Sequence, residues 1–554
     1  MVIPALSGNL YWSHTFHLVN LYVAVAVLQN MLLADAGQVS FGQGAVFGAA
    51  AYMVGIAATM HGAALTLAAL FGLAAALALG GLFALPALRV QGYYLGFVTL
   101  AVAMVFPELL VAFSDYTNGV NGIKLQLLEL HRPLVWGITP LALLVMLLAG
   151  GALAGHAALR GTRLGRRMRV AAASPEAALS LGFSPGHVRS AAFVLAALGT
   201  GLAGLLYVPV VGFLSPSAFH VELSIFFFFS VIVGGSGRLL GPILGVWILY
   251  LVPNVLMVDL VNYRLVGYGL VALAIMLAFP DGLVGTVENW LRRREAKSGG
   301  AQVSVHAILE LTPQATQRAS QGALVVVEGA RKHYGEVVAL DRVTLSVSAG
   351  SIHGLVGPNG SGKTTLLNVV SGFTRLDAGR VTIAGRDTTH QPGHRIARLG
   401  VGRTFQTPRV FDELTIWENL LIGADMRRGQ WLLAGLGDME KSWRAQRPDQ
   451  LPHAQRRLLE VLRVIATDAE VLLLDEPAAG LSAEERREFA KLLRHLRDAL
   501  GKTIILVEHD LDLVWRVADA ITVLEAGATI AEGPPQQIVS DPRVRALFTG
   551  KRDA

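Results

Sequence analysis

Residues 357–365 read Gly-Pro-Asn-Gly-Ser-Gly-Lys-Thr-Thr, and this stretch decides the fold of the chain's second half. It fits Gly-x4-Gly-Lys-Thr, with Gly357, Gly362, Lys363 and Thr364 in the fixed places. Pro358, Asn359, Gly360, Ser361 and Thr365 complete the loop. The pattern carries weight only between a strand and a helix. Ile352–Val356 is an apolar run that predicts a buried strand, and Thr364–Leu367 predicts a helix start. Glycines let the backbone curl until its N–H groups point at phosphate, and a helix N-terminus adds a favourable dipole. In that setting Lys363 contacts the outer phosphates of a nucleotide and the Thr364 hydroxyl ligates Mg2+. The competing reading, a glycine-rich turn that happens to contain Lys-Thr, is weakened by the strand and helix on either side.

Upstream of the loop the composition changes. The 554-residue chain is 53% hydrophobic and only 16% charged, with a mean hydropathy of +0.51. Soluble proteins carry about 25% charged residues. From Leu18 to Phe279 charges are scarce and apolar runs reach spanning length, whereas the chain after Lys297 has ordinary soluble composition. A net charge of +6 would suit nucleic acid, but the arginines cluster beside apolar segments, at 160–169 and 292–294, as membrane topology requires. No nucleic-acid partner is expected. The absence of cysteine excludes disulfides and thiolate metal sites. Residues 1–17 lack Lys and Arg and do not resemble a cleaved leader.

A spanning helix needs about 20 apolar residues. Candidate spans are Leu18–Ala34, Phe41–Met60, Ala63–Leu88, Tyr93–Phe113, Trp136–Leu159, Ala191–Phe213, Ile225–Gly234, Gly241–Val258 and Leu265–Phe279, for a total of eight to ten. The seventh is short for a crossing. Parity between the two arginine clusters nevertheless requires a break at Gly234–Arg238 and places the N-terminus outside. Small residues such as Gly44, Gly48, Gly201 and Gly204 permit close helix packing in lipid, although an Ala/Gly-rich composition explains any one of them equally well. Asp35 and Glu108 are carboxylates near span ends, with functional and solvated placements both open. The expected organisation is a helical membrane domain over 1–290, a flexible polar linker over 291–322 and a nucleotide-binding domain over 323–554.

Further chemistry lies downstream. Val471–Asp475 is an apolar run that continues into Glu476, which places Asp475 to hold Mg2+ through water and Glu476 to polarise an attacking water. Thr503–Val507 is a second such run, with His509 at its exit.

Together, Gly357–Thr365, Gln406 within 404–407, Asp475-Glu476-Pro477 and Glu508-His509-Asp510 resemble the Walker A, Q-loop, Walker B and H-loop of an ABC transporter ATPase. The resemblance runs from about Val325 to Phe548. Arg403–Gln406, Glu418–Leu421, Asp475–Leu481 and Glu532–Pro534 are similar to the ATP-binding subunits of branched-chain amino-acid importers. Tyr94–Leu100, Thr117–Ile123 and Phe279–Leu283 resemble the partner permease, and Glu176–Gly182 resembles the coupling helix of importer permeases, near 174–184. The resemblance implies a polytopic all-α transmembrane domain followed by an α/β P-loop NTPase domain. It also implies ATP and Mg2+ as ligands, Tyr334 against adenine, and Glu476, His509 and Gln406 as the catalytic group. Thr364, Gln406 and Asp475 would hold the metal, partly through water. A second permease and a second ATP-binding subunit are implied, heteromeric rather than homodimeric. So are an extracytoplasmic solute-binding protein and a bacterial inner-membrane location with the ATPase cytoplasmic.

Three departures qualify the resemblance. The signature Leu-Ser-Gly-Gly-Gln aligns with Leu451-Pro452-His453-Ala454-Gln455, in which proline removes a hydroxyl and an N–H and alanine crowds a glycine position. The stretch 423–450 is short for the family's helical subdomain, and Ser482 replaces the aspartate of many relatives. The resemblance implies an ATP-driven importer half, with permease and ATPase fused, for branched-chain amino acids or related small amino or organic acids; the alternatives are a low-turnover regulatory ATP-binding subunit and an exporter half, against which the short cytoplasmic loops argue.

Overall fold

The computed structural model describes residues 10–549 apart from 91, 126–127, 133–137, 253, 255–263, 296–302, 312–321 and 426–438. The chain divides into two units, residues 1–172 with 185–298, and residues 173–184 with 299–554.

The first unit is helical. Its elements are α1 (Leu10–Asn30), α2 (Gln43–Gly55), α3 (Leu65–Ala87), α4 (Tyr93–Ala112), α5 (Pro140–Gly161), α6 (Arg163–Ala173, whose last residue falls in the second unit), α8 (Pro185–Val211), α9 (Val221–Gly234), α10 (Gly241–Leu251), α11 (Arg264–Ala278) and α12 (Gly282–Glu295). Among the described residues eight helices are long and apolar enough to cross a membrane, and α10 is a shorter apolar helix. The seventh span is longer than its apolar run suggested. α9 starts at Val221, and a 3-10 turn at Pro216–Phe219 precedes it. The expected break is present, since α9 ends at Gly234 and α10 begins at Gly241. Strands β1 (Ile123–Lys124) and β2 (Phe213–Leu214) pair antiparallel.

Several small residues are close-packing sites. A Cβ on Gly204 would lie 2.4 Å from Phe47 O, and one on Gly44 would lie 2.5 Å from Ser224 Oγ. Any side chain there would push helices apart, which settles their role as contact points. Asp35 is buried, with His156 Nε2 at 2.5 Å and Arg160 Nε donating to Oδ1 at 3.0 Å. Its charge is therefore paired within the protein. Glu108 lies on an exposed face of α4.

The second unit contains α7 (Pro175–Ser180), α13 (Val305–Leu311) and an α/β body. A six-stranded sheet has the order β12-β11-β5-β10-β9-β8, from β5 (Ile352–Val356), β8 (Val401–Arg403), β9 (Val471–Asp475), β10 (Thr503–Val507), β11 (Ala520–Glu525) and β12 (Ala528–Gly533). Its pairings are parallel except β11 with β12. A four-stranded antiparallel sheet has the order β4-β3-β6-β7, from β3 (Ala323–Tyr334), β4 (Val337–Ser348), β6 (Ala378–Ile383) and β7 (Arg386–Asp387). Every residue of β5, β9 and β10 is buried, as expected of parallel strands covered on both faces. The helices that matter below are α14 (Lys363–Val370), α15 (Gly393–Leu399), α16 (Ile416–Ala424), α17 (Met439–Ala445), α18 (His453–Ala466) and α19 (Ala483–Asp498).

The linker expected over 291–322 differs where it is described. α12 runs to Glu295, and residues 303–311 fold into the second unit. Val303, Val305 and Ile308 are buried in its apolar cluster, α13 packs on α19, and Val303 N–H donates to Gln455 Oε1 at 3.3 Å. The short apolar face of this segment was masked in sequence by polar neighbours on both sides. Most of the remaining linker, and residues 426–438 of the shortened subdomain, lie outside the described residues.

Candidate functional site

The parallel sheet aligns the exits of β5, β9 and β10. Val507 lies opposite both Leu355 and Asp475, so the residues following each strand emerge on one edge. That edge of an open α/β sheet is where ligands bind. The loop 357–362 leaves β5 there and turns into α14. Gly357 has φ +152°, and a Cβ on it would meet Leu524 O at 2.2 Å. Gly362 has φ +103°, and its Cβ would meet Ala339 O at 2.5 Å. Only glycine fits either place.

Lys363 is buried at the start of α14, with Nζ donating to Gly357 O and Pro358 O at 2.8 Å each. Burial lowers its pKa, and the charges of Glu476 and Asp475 oppose that shift. Pro358, Asn359, Gly360 and Thr364 are exposed, Thr365 is half-buried and Ser361 is buried.

Glu476 follows β9 with φ +49°, an unusual backbone state for a side-chain-bearing residue, and its N–H donates to Val507 O at 2.9 Å. The turn aims its carboxylate at two partners. His509 Nε2 lies 2.8 Å from Glu476 Oε1, and Gln406 Nε2 donates to the same oxygen at 3.3 Å. Three residues separated by up to 103 positions (509 − 406) thus meet at one atom. Asp475 is buried; its backbone N–H donates to Thr404 Oγ1 at 3.0 Å, and Oδ1 has no hydrogen-bond partner. Burial raises its pKa, while Arg403, with Nη2 at 3.9 Å from Oδ2, draws it down. An orphaned buried carboxylate oxygen beside a threonine-bearing phosphate loop suits a hard cation such as Mg2+.

Tyr334 ends β3, half exposed, with its hydroxyl 3.3 Å from Thr374 Oγ1 and Lys332 Nζ 5.4 Å from its ring centroid. Asp377 organises this corner by accepting from Lys332 Nζ at 2.8 Å and from His333 N–H at 2.6 Å. The Lys332 bond is the main cause that holds Asp377 down to about 2.

Two family descriptions match the chain: "ABC transporter" over residues 340–479, and "Branched-chain amino acid transport system / permease component" over residues 13–280. The high-affinity branched-chain amino acid transport ATP-binding protein LivG of Salmonella typhimurium is 37% identical over 250 residues, 41% of this chain and 98% of that protein. The chain belongs to the branched-chain amino-acid ABC transport family.

The probable LivG of Archaeoglobus fulgidus is 37% identical, over 40% of this chain and 94% of its own length. BraF of Pseudomonas aeruginosa is 34% identical, over 41% and 98%. A crystal structure of a nucleotide-free ATP-binding cassette from an ABC transporter is 30% identical, covering 41% of this chain and all of its own, with a TM-score of 0.37. The protein is a multi-pass membrane protein that joins a permease and an ATP-binding ATPase of this family in one polypeptide.

Against that family the departures acquire geometry. Pro452 is the N-cap of α18 and makes no side-chain cap bond, where a serine would accept from the first turn. Ser482 caps α19 through a reciprocal pair with Glu485, so its hydroxyl is committed to the helix. Asp377, Thr404, Arg403, Arg457 and Glu460 were not singled out as site residues from sequence. Arg403 and Thr404 belong to the 403–406 motif, and Arg457 and Glu460 follow the signature-equivalent segment, but a motif does not show which groups far along the chain they bond.

His353 sits in β5 below the loop, with Nε2 2.8 Å from Thr522 Oγ1 of β11. Burial lowers its pKa from 6.5 to about 4. The folded state therefore disfavours the proton: its contribution is complete above pH 6.5 and is lost as pH falls through 4. The loss by pH 4.5 is about 2–3 kcal/mol. In melts of the full chain, His353→Asn should show a fall in stability between pH 7 and 4.5 that is smaller by about that amount.

Proposed function

We propose that this chain is one half of an ATP-driven importer of branched-chain amino acids or related small amino or organic acids. The observation that carries the reading is the convergence of Gln406, Glu476 and His509 beside the Gly357–Thr365 loop, in a chain whose described residues include eight apolar helices of spanning length. The backbone of 357–365 cradles the phosphates, Lys363 meets the outer ones, and Tyr334 stacks on adenine. Glu476 orients the attacking water, His509 steadies Glu476 and the γ-phosphate, and Gln406 reports from the nucleotide to the membrane-domain contact. Thr364, Asp475 and Gln406 would hold Mg2+, which when bound neutralises phosphate charge.

Import is supported by residues 173–184, which fold with the ATPase unit. α7 packs on α15, and Arg398 Nε donates to Gly182 O at 2.6 Å. A short helix seated there transmits movement of the ATPase to the permease to which it is joined. In this reading the protein lies in a bacterial inner membrane with the ATPase cytoplasmic. It pairs with a different permease and ATP-binding subunit, and takes solute from an extracytoplasmic binding protein. One observation favours a second reading, a low-turnover regulatory subunit: Pro452 leaves the signature-equivalent segment without a capping hydroxyl.

Reconstituted complexes presented with a panel of ligand-loaded binding proteins decide between these readings. The importer reading expects phosphate release to rise several-fold with a leucine-, isoleucine- or valine-loaded protein, with solute accumulating on the binding-protein side's opposite face. Stimulation by none of the amino-acid-loaded proteins excludes that substrate class. Release unaltered by Glu476→Gln in this chain supports the regulatory reading.

A further inference from the structure

The loop that carries Gln406 has no regular secondary structure between Thr404 and Thr415, yet buried side chains from two helices hold its main chain. Arg457 of α18 is 2% exposed, and its two terminal nitrogens donate to the carbonyls of Phe405 and Gln406. Glu460, one turn on and fully buried, accepts the Arg409 N–H at 2.9 Å. Arg463 lies 3.6 Å from Glu460 and 4.5 Å from the Phe411 ring centroid. From α16, Asn419 completes the grip, accepting from Phe411 N–H at 3.1 Å and donating to Phe411 O at 3.0 Å.

Irregular backbone inside a protein must find partners for its polar groups, and here Arg457 and Glu460, two of the three side chains that bond it, are charged types. Burial raises the Glu460 pKa, opposed by Arg463, the Arg409 amide and Arg457, while burial lowers Arg457. Such a network is costly to assemble and costlier to break, because removing one member strands the others. It is a poor way to obtain stability alone and a good way to hold one geometry.

We propose that Arg457 and Glu460 are positioning residues for Gln406. They fix residues 405–411 to α18, so that the amide meets Glu476 and moves only when α18 moves. The N-terminus of α18 is the signature-equivalent segment, which makes that helix the rigid link between the face offered to a partner ATPase and this chain's own Gln406. The inference rests on the reading of Gln406 as part of the nucleotide site.

The test uses the full-length chain assembled with its partner subunits. Arg457→Lys keeps the charge but loses the planar guanidinium fork whose two nitrogens reach the carbonyls of Phe405 and Gln406. Glu460→Gln keeps an acceptor for Arg409 and removes the charge facing both arginines. Amide exchange of residues 405–411 should accelerate at least tenfold in Arg457→Lys, with the exchange of β9 and β10 unchanged. ATP affinity measured without divalent cation should stay within twofold, while kcat falls at least tenfold. Glu460→Gln should shift both readouts in the same direction by less. The double variant Arg457→Lys/Gln406→Ala should be no slower than Gln406→Ala alone. Multiplicative losses in the double variant, or unaccelerated exchange, overturn the positioning role even if Gln406→Ala is impaired. Accelerated exchange with full activity in Gln406→Ala overturns the role of Gln406, and the positioning proposal with it.

Discussion

Glu476→Gln should reduce kcat for ATP hydrolysis by about 10²–10³-fold while leaving ATP affinity within about twofold. The amide has the size of the carboxylate and keeps an oxygen where Gln406 Nε2 and His509 Nε2 converge, at 3.3 and 2.8 Å. In the proposed mechanism, what it lacks is the negative charge that would draw a proton from the attacking water. In the same reading nucleotide binding rests on the 357–365 backbone and Lys363, both of which the substitution leaves in place. Steady-state phosphate release together with equilibrium nucleotide binding checks this. Undiminished hydrolysis would remove Glu476 from the reaction.

Lys363→Ala should act on the other step and weaken ATP binding by about 10–100-fold, the loss of one or two charge-assisted hydrogen bonds. Nζ bonds the carbonyls of Gly357 and Pro358 at 2.8 Å, so its loss also removes two of the loop's internal hydrogen bonds. The glycine geometry remains, and the fold should melt within a few degrees of the parent. Titration with a fluorescent ATP analogue reads the effect directly. Unchanged affinity would mean that the ammonium does not reach the phosphates.

These residues were legible because each belongs to a short pattern. The phosphate loop needs only nine consecutive residues, and β5, β9 and β10 announce themselves as unbroken apolar runs. The connector was misread for the opposite reason. Val303, Val305 and Ile308 make an apolar face too short to stand out among polar residues, and their burial depends on α18 and α19, which lie about 150 to 190 residues downstream in sequence. The seventh span was read short because Glu222 and Ser224 break the apolar run, whereas the backbone bonds of α9 continue through them regardless of side-chain polarity. The tight glycines of the membrane unit could not be told from composition, because close approach is a property of two helices and a sequence shows one at a time.

Sequence alone determined what the chain carries: apolar helices of spanning length, a nucleotide loop, and the acid, amide and imidazole that accompany it. Each of these is encoded in its own short run of residues. Tertiary structure decided what those groups can reach. The placement of β10 between β5 and β9 brings His509 to Glu476, and the buried Arg457 and Glu460 hold a loop about 50 residues earlier in the chain. Strand order and buried charge pairing arise from contacts between distant segments, so the packing of the whole unit sets them.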